Sequence, residues 1–282
     1  MKKQIVITVA LSLLGSLAQP VFAAPRGKKD SDKESLTTPS SAKSSSSSPT
    51  KSKPNAALRL AQRYGKKYGL SKDEQLEQAE KIEEAVARTR GSAHEGFEVP
   101  EKYAFKFKTL GIPASSKRKS IVMRSTQPSP ENLVELAMAA QKVGIDPSEV
   151  AVLNFRAENN VESTYHRDFA NASDSDERAA GKITMVEKPT LDHTIFRYHQ
   201  VVEVLNMLTD PKYKLVLMHC KVGKARTGQM VAIMRIVLDG WSVEDALSEA
   251  KDRGLRRPLQ IAFVRQFAAD WKAGRVKLNE KT

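Results

Sequence analysis

Cysteine is almost absent from this chain: there is one, Cys220, in 282 residues. A single thiol excludes an intramolecular disulfide and any structural zinc site built on several cysteines. Aromatic residues make up only 6% and form no stripe interleaved with basic residues, which argues against a nucleic-acid-binding surface. Beyond the N-terminus no apolar run approaches the 18 or so residues of a membrane span. Acidic residues are outnumbered by basic ones, 33 to 46, for a formal net charge of +13. That excess points to an anionic partner without naming it.

The N-terminus is the one place with a long apolar stretch. Lys2 and Lys3 precede an apolar segment from Ile5 to Ala18, and Val21-Phe22-Ala23 has the small-residue pattern of a cleavage site. The expectation is a secretory signal peptide over 1–23 and a mature chain that is periplasmic or secreted, with no stable membrane anchor. Residues 24–54 follow as a Ser/Lys-rich linker. Between Pro25 and Lys53 there is no aromatic and one large apolar side chain, Leu36. Such a segment cannot bury enough surface to offset its ordering entropy, so it is expected to be disordered.

Residues 55–94 read as a helical extension. Leu58, Ala61, Tyr64 and Tyr68 form one stripe. Ser71-Lys72-Asp73-Glu74 then has capping-box spacing, followed by Leu76, Ala79, Ile82 and Val86 at helical intervals. No chemistry is visible there, and an appendage packed on the main domain is the expectation.

From 95 to 275 strands alternate with helices. Short apolar strands are expected at Ile121–Met123, Val150–Phe155, Ile183–Val186 and Leu215–Met218. Helices are expected at Ser129–Lys142, Ile195–Leu208, Gly228–Leu238, Val243–Arg253 and Leu259–Trp271, with 156–182 polar and irregular. The pattern predicts an α/β domain with a central, mostly parallel sheet flanked by helices. Gly228–Leu238 is apolar almost all round, as a buried central helix is.

Between the last strand and that helix lies His219-Cys220-Lys221-Val222-Gly223-Lys224-Ala225-Arg226-Thr227-Gly228. A loop that leaves a buried strand and enters a helix turns successive backbone N–H groups into one concavity, where the helix N-terminus adds positive potential. The N–H groups of Lys221 through Ala225 are the expected cradle for a phosphate. Cys220 at its floor is expected as a thiolate nucleophile. Arg226 is spaced to fold back and hold two phosphate oxygens, and Gly223 permits the bend. Thr227 can donate its hydroxyl to the sulfur. The reaction this suggests is attack by Cys220 on phosphorus and hydrolysis of the cysteinyl-phosphate. The leaving oxygen needs a proton donor. Asp168, Asp174, Asp176 and Asp192 are candidates, and Asp192 is favoured. It stands in a strand-to-helix loop 28 residues before Cys220, at the same sheet edge.

This loop resembles the signature H-C-x-x-G-x-x-R-[ST] of the cysteine-dependent protein tyrosine phosphatase superfamily, with every position matched. Arg124 to Pro130 and Leu153-Asn154-Phe155-Arg156 are similar to segments of its dual-specificity-like members. Asp192-His193 resembles the general-acid pair of the tyrosine-phosphatase-like inositol polyphosphatases, the cysteine phytases, which makes His193 a candidate substrate-binding residue. Pro258-Leu259-Gln260 resembles a late segment in which a glutamine, here Gln260, positions the hydrolytic water. The resemblance implies a tyrosine/dual-specificity phosphatase fold and no metal or other cofactor.

Lys221 and Lys224 add two cations beside a phosphate that the loop already neutralises, which suits a polyphosphorylated inositol. His166, Arg167, Arg253, Arg256 and Arg257 read individually as surface charges and together as a basic pocket mouth. The expected protein is therefore a monomeric, secreted inositol polyphosphate phosphatase acting on phosphomonoesters. The alternatives are a phosphotyrosine or dual-specificity protein phosphatase, a phosphoinositide phosphatase, or a phosphate-binding module without turnover.

Overall fold

The computed structural model describes residues 56–91, 108–158 and 168–279. The expected signal peptide and linker, the junction near residue 95, and His166 and Arg167 lie outside the described residues.

Two helices open the described chain, α1 (Ala56–Tyr68) and α2 (Lys72–Gly91). The expected capping box is present, with Ser71 N–H donating to Glu74 Oε2 and Glu74 N–H to Ser71 Oγ. Ala57, Ala61, Ala79 and Ile82 form a small core between the two helices. Leu76, expected on the buried stripe, is instead 54% exposed. The hairpin is fixed to the main domain: Tyr68 packs edge-on against Phe263 with centroids 6.0 Å apart, and Tyr64 and Leu70 join the same apolar cluster.

The main domain contains β1 (Lys108–Leu110), β2 (Ile121–Ser125), α3 (Pro130–Lys142), β3 (Val150–Arg156), α4 (Ser175–Ala180), β4 (Thr184–Thr190), α5 (Tyr198–Thr209), β5 (Leu215–His219), α6 (Ala225–Val237), α7 (Val243–Asp252) and α8 (Pro258–Lys272). The five strands form one sheet in the order β1-β2-β5-β3-β4. Among the described residues only the β1–β2 pairing is antiparallel.

β5 and β3 read as unbroken apolar runs because both faces of the sheet are covered. Val216 and Met218 face α5, α6 and α8, whereas Leu215 and Leu217 face α3 and α4. The same alternation puts Ala151, Leu153 and Phe155 on the first side and Val150 and Val152 on the second. Phe155 meets Phe196 edge-on, with centroids 5.1 Å apart. As its composition predicts, α6 is buried all round, from Arg226 through Arg235.

Within the stretch expected to be irregular, the described residues 168–182 include a helix, α4. Asp174 caps α4, its Oδ1 accepting from the backbone N–H of Asp176 and Glu177. At the far end of α6, Asp239 is fully buried between two guanidiniums, 2.7 Å from Arg118 and 2.8 Å from Arg235. Both arginines also donate to Gly111 O, tying the β1–β2 connection to the last turn of α6.

Candidate active site

Register brings the site together. His219, the last residue of β5, is flanked by Ser125 of β2 and Asn154 of β3. The three parallel strands therefore deliver Cys220, Thr126 and Phe155 to one edge of the sheet, and β4 delivers Leu191 and Asp192 beside them.

The turn after Cys220 needs a glycine. Gly223 has φ +66, and a Cβ there would stand 2.3 Å from Ser125 O. The end of β2 braces this turn, with Gln127 N–H donating to Lys221 O at 3.2 Å and Arg124 Nη2 to Gly223 O. Arg124 is buried, and Nη1 of its guanidinium has no partner among the described residues. Burial and the neighbouring Arg253 push its pKa down to about 10, against the attraction of Cys220 and Glu249.

Cys220 is 3% exposed. Burial alone raises a thiol's pKa. Here it is overcome by the charge of Arg226, by the Thr227 hydroxyl and by the backbone N–H groups of Thr227 and Val222, so the thiol is held below its ordinary value. Thr227 is fully buried, and its hydroxyl has no oxygen or nitrogen partner among the described residues. His219 cannot supply positive charge. It is completely buried, and burial together with Arg156 and Arg226 drives its pKa down to about 3.

Arg226 is held from behind. Its Nη1 and Nη2 fork onto the two oxygens of Glu158 at 2.8 and 2.7 Å, and Nη1 also donates to Thr190 O at 2.9 Å. Its Nε has no hydrogen-bond partner among the described residues and lies 3.8 Å from Asp192 Oδ1. The Nε edge is thus the edge left to receive two oxygens of an anion. Burial works against the Arg226 charge, but Glu158, Cys220 and Asp192 more than restore it. Burial likewise raises the Glu158 pKa, and Arg226 and Arg156 bring it below the usual carboxylate value.

Of the four candidate aspartates, Asp192 is the one paired with Arg226. Asp174 is an exposed helix cap, and Asp168 and Asp176 sit nearby on the same outer segment. Asp192 is partly buried, which raises its pKa. The charges of Arg226, Arg257 and His193 outweigh that and hold it well below the usual carboxylate range. Arg257 grips it with two N–H groups, Nη1 to Oδ1 at 2.5 Å and Nη2 to Oδ2 at 3.4 Å.

His193 follows in the left-handed region, at φ 63. Its backbone N–H donates to Asp192 Oδ1 at 3.1 Å, and its Nε2 is 3.6 Å from Oδ2. Gln260, in the first turn of α8, is fully buried and donates to Thr194 O at 2.9 Å; its Oε1 has no partner among the described residues. It therefore sits against the loop that carries Asp192. Lys221 is half-buried and Lys224 exposed, the latter lying along Gly254. Val222 and Ala225 are also half-buried on the loop.

Sequence reasoning missed three residues. Glu158 stands two residues past the end of β3, at the edge shared with Cys220, and that position was the available signal. Arg257, read as a surface charge, is instead the ion-pair partner of Asp192. Gln78 of α2 reaches the site from a region expected to carry no chemistry, donating to His193 O.

Residues 115–265, more than half of the chain, match the family described as "PTP-NADK: DSP-PTPase phosphatase fused to NAD+ Kinase". The chain belongs to this family of dual-specificity-type, cysteine-dependent phosphatases. It is a phosphoric monoester hydrolase of the tyrosine phosphatase superfamily. Among curated proteins, none matches the chain. Several solved structures are similar to it. Tk-PTP in its active form is 21% identical, covering 55% of this chain and 97% of its own, with a TM-score of 0.40. The core catalytic domain of the PP-IP phosphatase SIW14 from S. cerevisiae is 18% identical, covering 59% and 92%, at 0.42. TpbA from P. aeruginosa is 23% identical, covering 56% and 89%, at 0.36.

Proposed function

We propose that this phosphatase acts outside the cytoplasm on inositol polyphosphates, removing phosphate through a cysteinyl-phosphate intermediate. The observation that carries the substrate class is the pair of lysines, Lys221 and Lys224, inside the cysteine loop. One phosphate is already served by the N–H cradle and Arg226, so the lysines are surplus to a singly phosphorylated substrate. A small ring bearing several phosphates uses them. The apolar leader over 1–23 supports the extracytoplasmic address.

In the first step the Cys220 thiolate attacks phosphorus in line with the departing oxygen. The S–P bond forms, the P–O bond breaks, and the oxygen leaves with the electron pair and a proton from Asp192. Arg226 and the loop N–H groups stabilise the charge on the equatorial oxygens. In the second step water, positioned by Gln260, attacks phosphorus. Asp192 takes a proton from that water, the S–P electrons return to sulfur, and the Thr227 hydroxyl stabilises the restored thiolate.

The family's description as a dual-specificity phosphatase favours a second reading, a phosphoprotein substrate. The test is a comparison of kcat/KM for inositol hexakisphosphate, a phosphoinositide in vesicles and a phosphotyrosine peptide. Preference for the soluble inositol phosphate is the expected result; preference for the peptide overturns the assignment.

A further inference from the structure

The α1–α2 hairpin precedes the residues that match the phosphatase family, yet it touches the loop that carries the acid. Gln78 lies on α2, is 6% exposed, and its side-chain amide donates to His193 O. A buried amide must be hydrogen-bonded, so this contact fixes where α2 and the loop meet. His193 is in the left-handed region at φ 63, a backbone conformation that side-chain-bearing residues rarely adopt and that persists only when its surroundings hold it.

The two polar ends of this one residue face two partners. Its carbonyl is held by Gln78, and its N–H is turned back onto Asp192 Oδ1 at 3.1 Å. If the carbonyl were released, the His193 peptide would be free to relax toward the right-handed region. That rotation would carry the N–H, and with it the carboxylate, off its present line with Arg226. The far side of the loop is already fastened, by Gln260 to Thr194 O at 2.9 Å and by Thr194 Oγ1 to Leu191 O at 2.7 Å. Gln78 adds a clamp on the His193 side.

The hairpin is placed for the task. Tyr68 is seated on Phe263 of α8, the helix that also brings Gln260 and follows Arg257. Gln75 donates to Leu70 O at 2.8 Å, and its side chain fills the space above Gly65, closing α2 onto α1. A cavity of about 270 Å³ separates α2 from the start of α8, and His193, Arg256, Arg257, Gln78 and Lys81 line it. Gln78 lines this cavity and donates to His193 O, which lines it too.

We propose that Gln78 is a positioning residue for proton transfer by Asp192, which makes the N-terminal hairpin a working part of the phosphatase. The proposal rests on the reading of Asp192 as the acid. The test uses the full chain and two aryl phosphates, 4-nitrophenyl phosphate with a good leaving group and phenyl phosphate with a poor one. Gln78→Met keeps the side-chain length and removes the N–H donor; Gln78→Asn keeps the donor but shortens its reach.

Both variants are expected to lower kcat for phenyl phosphate by about tenfold, a fraction of the roughly 10²–10⁴-fold that a general acid supplies. KM and the rate with 4-nitrophenyl phosphate should stay within about twofold. In an Asp192→Asn background, Gln78→Met should cause no further loss. Thermal unfolding monitors the fold separately. Equal losses with both substrates, or an additive loss in the Asp192→Asn background, would overturn the proposal and assign Gln78 a packing role. If Asp192→Asn is selective for poor leaving groups and Gln78→Met is not, the positioning role falls and the acid stands. If neither is selective, both fall.

Discussion

Asp192 Oδ1 lies 2.5 Å from Nη1 of Arg257 and 3.8 Å from Nε of Arg226. The carboxylate proposed as the acid is therefore an ion-paired anion before substrate arrives. A phosphate on the Nε edge of Arg226 changes this. It neutralises one of the two guanidiniums and places negative charge beside the carboxylate, and both effects raise the Asp192 pKa.

The pH dependence follows from that pairing. Because the Asp192 pKa is depressed, the carboxyl is ionised at every pH of interest in the free enzyme. The proton that Asp192 passes to the leaving oxygen then enters with the phosphomonoester monoanion, whose second pKa is about 6, and moves to the carboxylate as the bound phosphate raises its pKa. We expect kcat/KM for phenyl phosphate to fall as pH rises above about 6. Asp192→Asn should flatten this limb and slow phenyl phosphate by about 10²–10⁴-fold, with a much smaller effect on 4-nitrophenyl phosphate. A pH–rate profile of the two proteins checks this; an unchanged basic limb in Asp192→Asn places the proton elsewhere.

Glu158 is expected to matter as much as a residue that meets the phosphate. Its fork onto Arg226 sets the direction of the Nε edge. Glu158→Gln leaves a buried guanidinium with a neutral partner and lets it swing. A misplacement of about 1 Å in such a group costs on the order of 10²-fold in rate. The loss should be equal for good and poor leaving groups, in contrast to Asp192→Asn, because phosphate positioning precedes proton transfer.

The lysines give a graded effect. An exposed ion pair contributes about 0.2–1 kcal/mol, so Lys221→Ala and Lys224→Ala should each weaken kcat/KM for inositol hexakisphosphate by up to about fivefold, less at high salt. Turnover of 4-nitrophenyl phosphate should not change. Equal effects on both substrates would mean that the lysines do not read additional phosphates.

Away from the site, Asp239 couples α6 to the β1–β2 connection through two buried arginines. Asp239→Ala strands Arg118 without its counter-ion and should lower unfolding stability by about 3–5 kcal/mol in urea titration. The ratio of rates for phenyl and 4-nitrophenyl phosphate in the folded variant should stay that of the wild type. A change in that ratio would tie the far end of α6 to the acid loop.

What was legible in the sequence was contiguous or periodic. His219 to Gly228 carry the cysteine loop in ten adjacent letters, and the apolar runs of β3 and β5 mark strands covered on both faces. Asp192 stands out in the sequence by its place in a strand-to-helix loop, and the structure sets it beside Arg226 and Arg257. What stayed hidden depends on long-range packing. Arg257 looks like any surface arginine until α8 docks its first turn against the Asp192 loop, and Gln78 is one polar residue in a polar helix until the hairpin folds over α8. β1 has three residues, too few for a period-2 pattern to show. α4 lies within polar sequence, although Asp174 and Glu177 have capping-box spacing that would have marked its start.

The most direct measurement is acid quenching of the enzyme during turnover of 4-nitrophenyl phosphate, followed by mass spectrometry of the peptide that contains Cys220. The expected result is a phosphoryl group on Cys220 in the wild type, and no phosphate release by Cys220→Ser. Continued release by Cys220→Ser, or turnover with that peptide unmodified and the label on another residue, would contradict the cysteinyl-phosphate mechanism.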